Sequence, residues 1–182
     1  MNDAIYSRDF DGKTVVGFMS ERNFARFDWL IDSYEIQSVI ELGAFVGMST
    51  IYFAQRVQSV ITIDNFDIES QKGYPRYLQP IHEEAAANQY RVFLENTLRY
   101  PNIRGIVGDF LESASLPIEA DMVYLDGIQP YPEMLQIVKA WMPKARKIIG
   151  GDDAGHATVQ RVAQEVGATN TRERTWWMET CT

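Results

Sequence analysis

Cysteine is almost missing from this chain: the single Cys181 stands beside the last of the 182 residues. No disulfide can close within these residues, which suits a reducing compartment. Apolar runs are short, far below the roughly 20 residues that a membrane-spanning helix needs. The opening MNDAIYSRDFDGK mixes charges and has no apolar core, so it does not read as a signal peptide. Basic blocks are lacking too, with 17 Lys+Arg against 25 Asp+Glu and a net charge of −8. A surface this acidic repels nucleic acid and anionic membranes. The expectation is a cytoplasmic protein whose partner is a small molecule rather than nucleic acid or a membrane.

What is present is a globular composition, 46% apolar and 12% aromatic, on a length that fits one domain. ERNFARFDWLIDSY after Ser20 places Phe24, Phe27, Leu30 and Ile31 on one helical face, and residues 1–37 read as an N-terminal helical extension. Beyond it, short apolar runs (SVIEL, VQSVITID, NIRGIVGDF, ADMVYLDG, RKIIGGDD) alternate with helical patterns, the last of these closed by Gly167. Such alternation predicts an α/β fold: a doubly wound, mostly parallel sheet with both faces covered. TRERTWWMET has the aromatic weight of a final antiparallel strand. Trp176 and Trp177 suit a core or a dimer interface, which leaves a homo-oligomer open. Residues 65–80 hold Gly73, Pro75 and Pro80 without periodicity and read as a lid loop, with Tyr74, Arg76 and Tyr77 free to close over a substrate.

In doubly wound sheets ligands bind at the carboxyl ends of the strands, near the switch in strand order. Glu41, Asp64, Asp109, Asp126 and the Asp152–Asp153 pair all fall at such ends. In VIELGAFVGMST, Gly43 and Gly47 permit a tight turn between strand and helix. The stretch lacks both the G-x-G-x-x-G of dinucleotide sites and the Lys-Ser/Thr of a phosphate-binding loop. A carboxylate ahead of the glycines favours a cationic or neutral ligand. Asp64 is placed to grip ribose hydroxyls, with Asn65 beside it. Asp109 is placed to accept from an adenine amino group, with Phe110 or Phe66 against the ring.

These residues together resemble the class I S-adenosylmethionine-dependent methyltransferases, and ELGAFVGMST is similar to the first motif of their catechol-type O-methyltransferases. The resemblance runs from about residue 38 to residue 165. It implies a Rossmann-like fold and S-adenosylmethionine as cofactor, held by Glu41, Gly43, Ala44, Phe45, Gly47, Ser49, Asp64, Asp109 and Asp126. It also implies metal-assisted methylation of a small-molecule hydroxyl. Asp126 and Asp152 are 26 positions apart, so one strand-helix-strand unit brings them to the same sheet edge. With Asp153 they could offer Mg²⁺ three oxygen ligands.

The base is where the match breaks. The catechol-type enzymes carry a lysine three residues after the fourth-strand Asp, and here Gln129 stands there. His156 is the remaining candidate, since imidazoles exchange protons near neutral pH. His82 reads as a surface residue. A degenerate protein that binds the cofactor without turnover stays open, as does a nicotinamide-dependent oxidoreductase, which shares the sheet and the ribose acid.

Overall fold

A computed structural model describes residues 6–67, 88–127, 130–168, 170–172 and 174–180. The first described elements are strands. Strands β1 (Tyr6–Phe10) and β2 (Lys13–Gly17) form an antiparallel hairpin, which corrects the expected helical extension over residues 1–37. The cause is legible in the sequence: Asp11-Gly12 is a two-residue hairpin turn, and both residues take positive φ, 53° and 83°. Helix α1 (Glu21–Ser33) then follows Ser20 as expected, burying Phe24, Phe27, Leu30 and Ile31.

From there β-α alternation holds. The described elements are β3 (Ser38–Leu42), α2 (Met48–Ala54), β4 (Ser59–Asp64), α3 (Gln89–Thr97), β5 (Ile103–Val107), α4 (Phe110–Ser113) and β6 (Ala120–Leu125). Next come α5 (Glu133–Trp141), β7 (Ala145–Gly151), α6 (Ala157–Val166), β8 (Asn170–Arg172) and β9 (Thr175–Glu179). The seven-stranded sheet runs β5-β4-β3-β6-β7-β9-β8. Its first five strands pair in parallel, and β9 and β8 add antiparallel strands at the far edge.

Both faces are covered, which is why the strands read as unbroken apolar runs. On one face α1 and α2 bring Phe24, Phe27, Leu30 and Phe53 against Tyr124 and Ile148. On the other, α5 and α6 bring Val138, Trp141, Val159 and Val162 against Leu42, Val123 and Ile149. Each of these large side chains, fully buried, contributes roughly 1.5–3 kcal/mol. The tail tryptophans divide between the layers: β7 pairs Gly150 with Trp177 and Gly151 with Trp176. A Cβ on Gly150 would sit 2.5 Å from the Trp176 carbonyl oxygen, so only glycine lets β9 approach.

Chain order runs outward from β3 to β5 on one side and from β6 to β7 on the other. The switch point therefore lies between β3 and β6, where Leu42 meets Leu125.

Candidate functional site

The loop after β3 leaves the sheet at Gly43, whose φ is +102°. A Cβ there would lie 2.0 Å from the Asp126 carbonyl oxygen, so the ends of β3 and β6 close on each other only because residue 43 has no side chain. Gly47 ends the loop as the N-cap of α2, and its N–H donates to the Ala44 carbonyl at 2.8 Å. Asn96 of α3 donates to the Val46 carbonyl at 2.8 Å, and Phe18, just past the hairpin, packs on Phe45 at 5.3 Å. Ser49 is buried in the first turn of α2.

Asp64 holds this loop. Its Oδ2 accepts from the backbone N–H groups of Ala44 and Phe45 at 2.8 and 2.9 Å, and its Oδ1 from that of Phe66 at 2.7 Å. A carboxylate has about four lone-pair sites, so one remains for a ligand hydroxyl. Burial pushes its carboxyl above the usual carboxylate range, and the three N–H groups oppose that. The residue expected to hold ribose therefore also fixes the loop that would face it. Asn65 accepts from the Asp67 N–H at 3.1 Å and shapes the turn beyond.

Glu41 lies wholly buried on the sheet face under α1 and α2, in register with Thr62 and Tyr124. Its Oε2 accepts from the Thr50 hydroxyl at 2.5 Å, while Oε1 has no hydrogen-bond partner at ordinary geometry. Burial raises its pKa from 4.5 to about 7, against the lowering effect of the Ser49, Thr50 and Thr62 hydroxyls. The unfolded chain ionises Glu41 from about pH 4.5, so between 4.5 and 7 the folded state holds an extra proton. That stability is fully present below pH 4.5 and is lost as pH rises through 7. The displacement corresponds to on the order of 3 kcal/mol. Glu41→Gln, always neutral, should therefore lose less stability than the parent between pH 5 and pH 8 in urea unfolding. Equal losses in the two proteins would show that Glu41 carries no such proton.

Asp109 caps α4, its Oδ1 accepting from the N–H groups of Leu111 and Glu112 at 2.7 and 2.9 Å. The side chain is exposed, and its second oxygen is not used by the cap. The Phe110 carbonyl accepts from the Trp141 indole N–H at 2.7 Å, and its ring reaches to Gly127 beside Asp126. Phe66, the other candidate for the adenine face, packs instead on Tyr90 and Phe93 at 4.9 and 5.0 Å.

Across the switch point, Asp126 sits at the end of β6, its N–H donating to the Leu42 carbonyl at 2.8 Å. Burial first, then the neighbouring Asp152, Glu41 and Asp153, hold its carboxyl well above the usual range, with Arg174 pulling the other way. Asp152 takes the Asn23 amide N–H of α1 on Oδ2 at 3.2 Å, and its pKa is pushed up to about 6 by burial and by Asp153. Asp153, with φ +59°, is ion-paired to the Arg174 guanidinium. His156 is the exposed N-cap of α6, and its Nδ1 accepts from the Thr158 N–H at 3.3 Å. Gln129, His82, Tyr74, Arg76 and Tyr77 lie outside the described residues.

The sequence profile of a family described as a methyltransferase domain matches residues 40–154, more than half of the chain. The chain belongs to that methyltransferase family. Its sheet has the fold of class I S-adenosylmethionine-dependent methyltransferases. A Staphylococcus aureus protein provisionally named a caffeoyl-CoA O-methyltransferase matches with a TM-score of 0.63 at 14% identity, over 91% of this chain and 86% of the other. The N-methyltransferase NodS of Bradyrhizobium japonicum, solved with S-adenosylhomocysteine, gives a TM-score of 0.62 at 14% identity over 89% and 87%. A precorrin 8w decarboxylase from Methanobacterium thermoautotrophicum gives 0.61 at 14% over 91% and 92%. At such identity these likenesses show the fold alone. Among curated protein sequences none matches. No described helix of the methyltransferase is long and apolar enough to cross a membrane.

Three side chains in this methyltransferase entered no sequence expectation: Asn23, Thr50 and Arg174. Asn23 carried one faint signal, as the third residue of the helix capped by Ser20. Its Oδ1 accepts from the Ser20 N–H at 3.0 Å while its amide turns to Asp152. Arg174 carried none, since the β8–β9 turn that delivers it is set by strand pairing.

The Mg²⁺ expectation at Asp126, Asp152 and Asp153 does not fit this methyltransferase. Among the described residues no three His, Cys, Asp or Glu side chains are grouped to hold a metal ion. The three carboxylates do feel one another's charge, but Asn23 and Arg174 take oxygens that a hard cation would need.

Proposed function

We propose that this methyltransferase moves the methyl group of S-adenosylmethionine to a hydroxyl of a small molecule. The observation that carries the reading is the set of carboxylates after β6 and β7, of which Asp126 closes on Gly43 at the switch point. Asp126 is the base. A carboxyl held high by burial and like charge takes a proton more readily than an ordinary one when ionised. The hydroxyl proton passes to Asp126, an oxygen lone pair attacks the methyl carbon, and the carbon–sulfur bond breaks to leave S-adenosylhomocysteine. No step passes through a metal. The cofactor rests on the Gly43–Gly47 loop, with Asp64 and Asp109 toward its nucleoside. The acidic surface disfavours a nucleic-acid acceptor.

The test is S-adenosylhomocysteine release across matched panels of hydroxyl and amine acceptors. Turnover on hydroxyl compounds that falls at least 100-fold in Asp126→Asn supports the assignment. Turnover confined to amines, or cofactor binding with no turnover on any acceptor, overturns it.

His156 has a capping role in this scheme. With Nδ1 accepting from Thr158, the neutral ring carries its proton on Nε2 and offers no free acceptor nitrogen. His156→Ala should cost about 1 kcal/mol of stability, as for a lost cap. Its kcat should stay within about threefold of the parent, whereas loss of a general base costs about 100-fold or more. A 100-fold fall in kcat would return His156 to the chemistry.

A further inference from the structure

The geometry points to Arg174 as the resident cation of the Asp152–Asp153 pair beside Asp126, occupying the place a divalent metal would take.

Its placement has three parts. The Arg174 guanidinium pairs with the Asp153 carboxylate through Nη2, and its Nε lies 4.0 Å from Asp152 Oδ1. The Arg174 main-chain carbonyl accepts from the Ala154 N–H at 2.7 Å, so the loop after β7 is fastened to the β8–β9 turn by both backbone and side chain. Asp152 Oδ1 is buried and makes no hydrogen bond, so a positive charge nearby is what balances it. The side chain of Asp152 is only 11% exposed, against 44% for Arg174. The arginine reaches in from the surface while the carboxylate stays inside.

Asp126, Asp152 and Asp153 feel one another's charge, and like charges oppose one another unless a cation stands nearby. A guanidinium supplies that charge in a planar, always-protonated form, and its fork suits two carboxylates at once. Mg²⁺ would supply more charge, but it would have to strip Arg174 from Asp153 and Asn23 from Asp152 and still find oxygen ligands in octahedral array. The bland alternative is an exposed ion pair of the kind that contributes about 0–1 kcal/mol. The buried, otherwise unpartnered oxygen of Asp152 and the additional Ala154 bond set Arg174 apart from such a pair. Arg174 is thus a positioning residue: it fixes the loop that carries Asp152 and Asp153 and keeps that corner neutral enough to stay packed.

The test uses Mn²⁺ as the probe and needs no acceptor, so its failure is separate from failure of the hydroxyl-acceptor reading. Wild-type protein, titrated with Mn²⁺ and followed by the loss of the free-ion electron paramagnetic resonance signal, should bind no stoichiometric ion up to about 1 mM. Arg174→Gln should acquire one Mn²⁺ per chain with affinity raised at least tenfold, and Asp152→Asn added to it should abolish that gain. Arg174→Lys, which keeps the charge, should behave as wild type. Should Arg174→Gln be unfolded without metal, its thermal midpoint is followed against Mn²⁺. A rise absent from wild type supports the proposal, and no rise overturns it. Stoichiometric Mn²⁺ binding by wild type that is lost in Asp152→Asn overturns it, as does a folded Arg174→Gln that gains no binding.

Discussion

Gly43→Ala should lose about 4 kcal/mol or more of stability and release the Gly43–Gly47 loop from the sheet. Two independent effects add at this position. Residue 43 holds φ at +102°, and its Cβ would lie 2.0 Å from the carbonyl oxygen of Asp126 and 2.9 Å from the carbonyl carbon. Both obstacles are backbone, so no rotamer change relieves them. The chain must open the contact between β3 and β6 at the point where the candidate site lies. For a domain of this size that corresponds to a fall in Tm of roughly 8–16 °C. Gly12→Ala is the matched control: φ is +83°, but nothing lies within 4 Å of the added Cβ, so only backbone strain of about 1 kcal/mol applies. Differential scanning calorimetry of the two variants separates strain from collision. Equal losses would show that the approach of Asp126 to residue 43 costs nothing.

Asp64→Ala is expected to be nearly as damaging, by about 3–4 kcal/mol, since it strands the N–H groups of Ala44, Phe45 and Phe66 together. The larger consequence falls on binding. Without those bonds the Gly43–Gly47 loop loses its tie to β4, and the remaining lone-pair site for a ribose hydroxyl goes with it. Titration calorimetry with S-adenosylhomocysteine should show affinity falling at least 100-fold in a protein that is still folded at low temperature. Asp64→Asn keeps one oxygen and should fall between parent and Ala variant. Unchanged affinity in folded Asp64→Ala would remove this residue from the cofactor site.

Much of the fold was legible because burial on both faces of a parallel sheet writes itself as short apolar runs. SVIEL became β3 with unchanged boundaries, and the Ser20 boundary, the Gly167 C-cap and the final antiparallel strand also came through. The N-terminal hairpin is hard to read from periodicity although Asp11-Gly12 announces it, because its strands are short and only partly buried and their alternation is weak. In the candidate site, the strand-end carboxylates were readable since the switch-point rule needs only strand order. Their partners were not. Asn23 reaches Asp152 across 129 positions of chain, and Arg174 reaches Asp153 across a turn whose position depends on how β9 pairs with β7. Local pattern carries no record of such contacts. For the same reason the grip of Asp64 on three loop amides could not be read from its place at a strand end.

The pairing of Gly150 and Gly151 with Trp177 and Trp176 also bears on the order of events during synthesis. Each tryptophan fills a different hydrophobic layer, and both belong to β9, which is inserted beside β7 rather than appended to an outer edge. Neither layer is therefore complete until residues 175–179 have cleared the ribosome, even though every parallel strand has by then been made. The nascent sheet waits with the edge of β7 unpaired, the state in which partly built chains are most prone to stick to one another. A ribosome stalled with this segment still in the exit tunnel should hold a chain that proteases cut readily. Release of the same few residues should close both layers at once.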